Sequence, residues 1–259
     1  NAGRVLSRST TSLNKSLERL SSGLRINRAA DDAAGLAIAE GFRSVVRGTQ
    51  VAQRNSQDGV SLVQTAEGAL SETTNILQRI RELAVQAANG TQSTNNRVAI
   101  DGEVAQLLGQ IDTIATDTEF NGIRLLSSAQ TVTLQSGAMQ SQTLAIALTG
   151  AKTTELGVSG VRVSTVAAAV SAISTIDNAL KSVTSLRSSL GAYQNRLEFT
   201  INTLAIQEEN SSSSESFIRD ADIAKETIGF TRNQILVSAG TSVLAQANTV
   251  PQTALQLLR

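Results

Sequence analysis

The stretch NSQDGVSLVQTAEGALSETTNILQRIRELAVQAANG, residues 55–90, decides the architecture. Within it Leu62, Ala66, Ala69, Thr73, Ile76, Ile80, Leu83 and Ala87 recur at alternating steps of four and three. That spacing lines apolar side chains along one seam between helices. No proline interrupts it, since the single proline of the chain is Pro251. Upstream, Asp31 and Asp32 carry carboxylates suited to the free N–H groups and positive dipole of a helix start. A helix is therefore predicted from about Asp32 to Ala88. Its internal glycines, Gly35, Gly41, Gly48, Gly59 and Gly68, each cost about 1 kcal/mol relative to alanine, so packing has to supply what propensity lacks.

Outward from this segment, Asn89-Gly90 and the polar residues that follow predict a turn. A returning helix then carries Ile100, Val104, Leu107, Ile111 and Ile114, and Asn121-Gly122 marks the next turn. Between Thr131 and Leu148 the period changes to two, with Val132 and Leu134 followed by Leu144, Ile146 and Leu148, and Gly137 between the runs. This predicts a hairpin. Ile173, Ile176, Leu180, Val183, Leu190, Leu197, Ile201 and Leu204 restore the heptad, with Arg187 and Gln194 as polar interruptions.

The chain ends are patterned in the same way. Leu6, Leu13, Leu17, Leu20 and Leu24 form an N-terminal seam interrupted by Thr10. Near the other end Ile223, Phe230, Val237 and Leu244 share one heptad phase, and Ile228, Ile235, Leu236 and Val243 widen the apolar face. A stripe that wide needs more than one neighbour. The serine run Ser211–Ser214 between the last two helical patterns reads as a flexible joint. The expected fold is mainly α: long antiparallel coiled-coil helices from both chain ends, with a small β-hairpin region in the middle. It divides into segments 1–30, 31–127, 128–165, 166–210 and 211–259.

Composition narrows the function. Among 259 residues only 2% are aromatic, so helix seams filled by aliphatic side chains fit better than a globular core filled by rings. Cysteine and histidine are both absent, which removes disulfides, thiol nucleophiles, imidazole chemistry and most transition-metal sites. Lys+Arg and Asp+Glu each total 22, without a basic cluster that would suit nucleic acid. No apolar run approaches the roughly 18 residues of a membrane span. With no nucleophile–base pair, phosphate loop or ligand cluster, an enzyme is not expected and no cofactor is implied.

Several ordered motifs together resemble the bacterial flagellins over nearly the whole length. They are LSSGLRIN (20–27), the acidic pair with Ala33-Ala34-Gly35, NSQDGVSLVQTAEGAL (55–70), QRIRELAVQAANG (78–90) and EFNG (119–122). Toward the end stand LGAYQNRLE (190–198), IRDADIA (218–224), GTSVLAQAN (240–248) and VPQTALQLLR (250–259). The resemblance implies a secreted, extracellular subunit of the flagellar filament, exported unfolded and polymerising with copies of itself beneath a cap. Segments 1–30 and 211–259 would form the inner core, and 31–127, 128–165 and 166–210 the outer core. It further implies an export chaperone, a cap protein and hook-junction proteins as partners. The form is minimal: 128–165 leaves no room for the variable outer domains of longer members, and against the family pattern the sequence starts at Asn1 without the first dozen or so residues, a departure that processing, a fragment or a further segment would each explain. A hook-filament junction protein is the nearest alternative; a chemoreceptor-like signalling hairpin fits less well, because the centre is β-like.

Two sets of residues are singled out. Polymerisation seams are expected at Leu6, Leu13, Leu17, Leu20, Ile235, Leu236, Val243, Leu244, Leu255, Leu257 and Leu258. The resemblance also places Gln78, Arg79, Leu83 and Glu103 at the surface by which the vertebrate Toll-like receptor recognises flagellins, overlapping a subunit interface. From the residues alone, Leu83 is equally a packing position. Asp31-Asp32 and Asp220-Asp222 with Arg219 read as helix caps and ion pairs rather than as acid–base or metal sites. Asn14-Lys15-Ser16 and Asn89-Gly90-Thr91 match the short glycosylation sequon.

Overall fold

The computed structural model describes residues 2–257, and side chains for 3–247. The order is α1 (Ala2–Ser22), α2 (Ala33–Ala88), α3 (Thr94–Asp117), β1 (Glu119–Phe120), β2 (Ile123–Arg124), β3 (Gln130–Gln135), β4 (Thr143–Leu148), α4 (Val166–Arg219) and α5 (Ile223–Leu257). Two compact units result, one of Asn1–Val46 with Glu208–Arg259 and one of Arg47–Gln207. Helices α2 and α4 each contribute to both.

In the Arg47–Gln207 unit the α2 side chains closest to full burial are Ala52, Ser56, Gly59, Val63, Ala66, Leu70, Thr73, Leu77, Ile80, Ala84 and Ala87. Their steps alternate four and three without interruption, so the coiled-coil period is as expected. The phase is turned by one residue from the predicted seam at four places: Val63 for Leu62, Leu70 for Ala69, Leu77 for Ile76 and Ala84 for Leu83. The cause is a stripe wide enough for two neighbours, which buries Leu62 and Leu83 as well. In α4, Ala172 and Ala179 are likewise buried where Ile173 and Leu180 were expected to lead. Arg187 pairs with Glu67 at 3.5 Å and Asp177 with Arg81 at 2.7 Å. These pairings run in opposite directions along the two helices, so α2 and α4 are antiparallel here.

The hairpin has the register Val132↔Ile146 and Leu134↔Leu144, with Leu144, Ile146 and Leu148 turned inward. It is seated on α2 at positions without a side chain. A Cβ at Gly48 would stand 2.9 Å from the Ala138 methyl, and one at Gly59 would overlap Leu134 and come within 3.3 Å of Leu197. Asn55, between them, donates its side-chain amide to Gln135 O at 3.1 Å. A second, two-residue hairpin joins β1 to β2 through Asn121 (φ 50°) and Gly122 (φ 78°), the left-handed pair that tight hairpins require.

Residues 149–165 form an ordered strap. Asp112 of α3 accepts from Thr153 N–H at 2.8 Å and from its hydroxyl, while Asp101, 7% exposed, accepts from Val163 N–H at 2.7 Å and pairs with Arg162 at 2.9 Å. The two aspartates are eleven residues apart, three helical turns, and so share one face of α3. Burial raises the Asp101 carboxyl, but the Arg162 hydrogen bond, the Val163 N–H and the Arg162 charge outweigh it and hold the group below the ordinary carboxylate range. Held this way, the strap adds Ala151, Leu156, Val158, Val161 and Val163 to the core.

The expectation of a flexible joint at Ser211–Ser214 is overturned. All four serines lie inside α4. Ser211 continues the heptad phase of Leu190, Leu197 and Leu204 and is buried, and Ser214 bonds back to Asn210 O at 2.8 Å. The Ser214 hydroxyl is thus satisfied within the helix. The break falls at 220–222 instead, where Asp222 caps α5 by accepting from Lys225 N–H at 3.1 Å.

Candidate assembly surfaces

In the unit made from the chain ends, α1 runs antiparallel to α5. Leu6 faces Gly240, Ser16 faces Gly229, and Arg19 pairs with Glu226 at 3.6 Å. The buried line on α1 is Leu6, Ser9, Leu13, Ser16 and Leu20, with Ser9 and Ser16 the most enclosed. Leu17, expected on this seam, lies off it and is 51% exposed, because Ser16 holds the heptad position beside it. Small residues on both sides let the backbones approach, and serine carries no sequence signal for such a role.

The connection between α1 and α2 is tied down by backbone and charge. Arg25 N–H donates to Arg219 O at 2.7 Å, and Ala221 N–H donates to Gly23 O at 2.9 Å, with Gly23 at φ 73° ending α1. Asp32 caps α2 as predicted, accepting from Gly35 N–H at 2.9 Å. Asp31 does something else. It pairs with Lys15 at 2.6 Å and accepts from the Asn27 and Arg28 N–H groups. The Lys15 hydrogen bond leads these effects, and together they lower its carboxyl to about 2. Arg219 reaches Glu40 at 3.3 Å and Glu215 at 3.5 Å, so the carboxylates near it serve helix ends and ion pairs.

Helix α5 presents two apolar faces. Phe230, Val237 and Leu244 are half-buried toward α1. On another face Ile228, Ile235, Leu236 and Val243 are 63%, 62%, 47% and 58% exposed. A shallow apolar groove runs along Thr227, Ile228, Thr231, Arg232, Ile235 and Leu236. The side chains of Leu255, Leu257 and Leu258 lie outside the described residues.

The second predicted set is divided by the structure. Gln78, Arg79 and Glu103 are exposed, and Arg79 donates to Glu103 at 3.0 Å and to Glu82 at 3.3 Å, which raises its already high pKa. Leu83 is 2% exposed and belongs to the core. Leu83, which the sequence offered equally as a packing position, therefore lies outside the exposed patch of the other three.

Comparison with known proteins decides the family. Residues 1–131 match the bacterial flagellin N-terminal helical region, and residues 173–258 match the C-terminal helical region. The chain belongs to the bacterial flagellin family. Flagellin from Halalkalibacterium halodurans is 48% identical over 95% of this chain and 91% of its own length. The 33 kDa flagellar filament core protein of Treponema phagedenis is 44% identical over 100% of this chain and 96% of its own. Bacillus subtilis flagellin is also 44% identical, over 98% and 95%. Among solved structures, Bacillus cereus flagellin superposes with a TM-score of 0.51 at 32% identity, covering 58% of this chain and 88% of that one. A putative flagellar hook-associated protein from Vibrio parahaemolyticus reaches 0.61 at 12% identity, covering 73% and 99%, which is a likeness of fold. Flagellins are structural proteins of the flagellar filament, and this flagellin shares their helical design. Among the described residues, no group of His, Cys, Asp and Glu is placed to hold a metal ion, and no helix is long and apolar enough to cross a membrane.

Proposed function

We propose that this flagellin polymerises through the unit built from its chain ends, with the outward stripe of α5 as a principal contact to neighbouring copies. The observation that carries this is the second apolar face of α5, left open after α1 has taken the first. Enclosing one such side chain is worth about 1.5–3 kcal/mol, so four of them give a neighbour a substantial reason to dock. Leu17 of α1, also exposed, offers a neighbour a further apolar side chain, while Leu6, Leu13, Leu20 and Leu244 hold the pair together. Leu255, Leu257 and Leu258 extend the contact toward the C-terminus.

Family membership supports the remaining parts of this reading. The chain is exported unfolded to the cell exterior, accompanied by an export chaperone, and adds beneath a cap protein to a filament that begins at hook-junction proteins. The test is the double substitution Ile235→Asp with Leu236→Asp. Helical content and unfolding temperature should match wild type, because both residues are exposed, while seeded filament growth disappears. Filaments of normal length and stability would refute the assignment of α5.

Gln78, Arg79 and Glu103 support a second reading, as a receptor-facing surface shared with a subunit contact. Arg79, paired with Glu103 and Glu82, and the neighbouring exposed Gln78 form a polar patch, without Leu83. Arg79→Asp should then weaken Toll-like receptor activation by monomer and also slow assembly. A variant normal in both assays would leave Arg79 an ordinary solvated side chain.

A further inference from the structure

The chain contains two Asn-Gly pairs, Asn89-Gly90 and Asn121-Gly122. They differ in what surrounds the asparagine side chain. Asn89 stands just past the end of α2, exposed, and Thr91 N–H donates to its Oδ1 at 3.1 Å. This hydrogen bond closes a small ring that runs through the Gly90 peptide and restricts rotation of the Asn89 side chain. Among the described residues, that nitrogen donates to none of the backbone acceptors of the turn, in which Gln92 N–H and the Arg97 guanidinium take Asn89 O. A Cβ built on Gly90 meets nothing within 4 Å, so the approach is open. Asn121, by contrast, is held at φ 50° between the paired residues Phe120 and Ile123, without a backbone donor on its side-chain carbonyl among the described residues.

We propose that Asn89 is a site of self-modification, converting to aspartate and isoaspartate. The Gly90 nitrogen gives up its proton to solvent and its lone pair forms a bond to Asn89 Cγ. The negative charge that develops on Oδ1 is met by the Thr91 N–H, the arrangement that stabilises an oxyanion wherever a backbone donor points at it. Collapse breaks the Cγ–Nδ2 bond; the side-chain nitrogen takes a proton from solvent and leaves as ammonia, and a five-membered imide remains. Water then adds to either imide carbonyl, giving an aspartate at position 89 or its isomer with an extra methylene in the main chain. A side chain so restricted gives up less freedom on meeting the attacking nitrogen than a freely rotating one. No oxidant or enzyme is required, and the product carries one more negative charge.

That charge appears beyond the last residue of α2, where the helix dipole is already negative, and beside Arg97, which donates to Ala87 O at 2.9 Å and to Asn89 O at 3.1 Å. The modification therefore changes the α2–α3 corner. A glycan on the Asn89 side-chain nitrogen, as Thr91 would permit in a suitable host, replaces the leaving group and blocks the reaction.

The experiment uses full-length recombinant protein in warm, mildly alkaline buffer, with peptide mapping by mass spectrometry and an isoaspartyl methyltransferase assay. In the folded chain, Asn89 should convert severalfold faster than Asn121, and in denaturant the two should converge. Gly90→Ala should suppress conversion at Asn89, leave Asn121 unchanged and preserve the helical spectrum. An Asn89-to-Asn121 ratio that is the same folded and unfolded, or conversion undiminished in the Gly90→Ala protein, would overturn the proposal.

Discussion

The unit Arg47–Gln207 and the unit built from the chain ends use the same aliphatic residues and dispose of them differently. In the first, three helices, a hairpin and a strap enclose one continuous cluster, including Leu70, Leu77, Ile80, Ile111, Ile146, Ile176 and Leu197. In the second, among the described residues, only Ile26 and Ala39 are buried apolar side chains, and the enclosed positions on α1 are two serines. Two helices can cover only one stripe of each other. A segment with that balance contributes little stability of its own and keeps surface for other molecules.

The most drastic way to break this contrast is proteolysis. Monomer treated with trypsin should lose its ends and leave a fragment close to Arg47–Gln207, whereas the same bonds should survive in filament. Equal resistance of both regions in monomer would mean that the end unit is stable alone. Core truncation sharpens the contrast energetically. Leu197→Ala should cost about 2–5 kcal/mol in thermal or denaturant unfolding, as a fully enclosed leucine does. Leu13→Ala, half-buried in the end unit, should cost much less in the monomer.

A smaller effect separates two glycines of α2. Gly59→Ala forces Leu134 and Leu197 aside and should destabilise by about 1–3 kcal/mol. Gly68→Ala, where a Cβ meets nothing, should stabilise by up to about 1 kcal/mol. A stabilising Gly59→Ala would show that the hairpin is not seated in that notch.

Acid offers a further comparison, because each unit holds one lowered carboxylate. Both Asp101 and Asp31 sit below the unfolded value of about 3.9. Their contribution is therefore complete above that pH and is lost as pH falls through the folded pKa, which for Asp31 is about 2. Asp101→Asn should flatten the acid limb of the stability curve for Arg47–Gln207, read by amide exchange in 149–165; an unchanged limb would separate the strap from this carboxylate. The least effect is expected at the exposed Arg79–Glu103 pair, where Glu103→Gln should leave the unfolding midpoint unchanged.

The heptads of α2 and α4 were legible because their period holds over many turns, and the hairpin because Val132, Leu134, Leu144, Ile146 and Leu148 alternate cleanly. The phase was not, since alanine lies on both flanks of the stripe and either line satisfies the same count. Ser9, Ser16 and Ser211 escaped notice for a related reason: a side chain suited to a close seam by its size reads as solvent-facing by its polarity. Asp101 and Asp112 could not be found at all. Each is one carboxylate on a mixed helix, and its partner comes some forty to sixty residues later without any periodic cue. At the assembly surface the wide α5 face was readable, while which of its residues α1 would cover depended on the glycines at 229 and 240.

The register of α1 on α5 also fixes an order of events. Leu6 meets Gly240, so α1 has as its partner a helix at the far end of the described sequence. Closing a loop of that length is slow, whereas the α2–α3 corner, where Arg97 reaches Ala87 O across ten residues, closes a short one. Whenever the chain folds, the α2–α3 corner can therefore be in place before α1 has found α5.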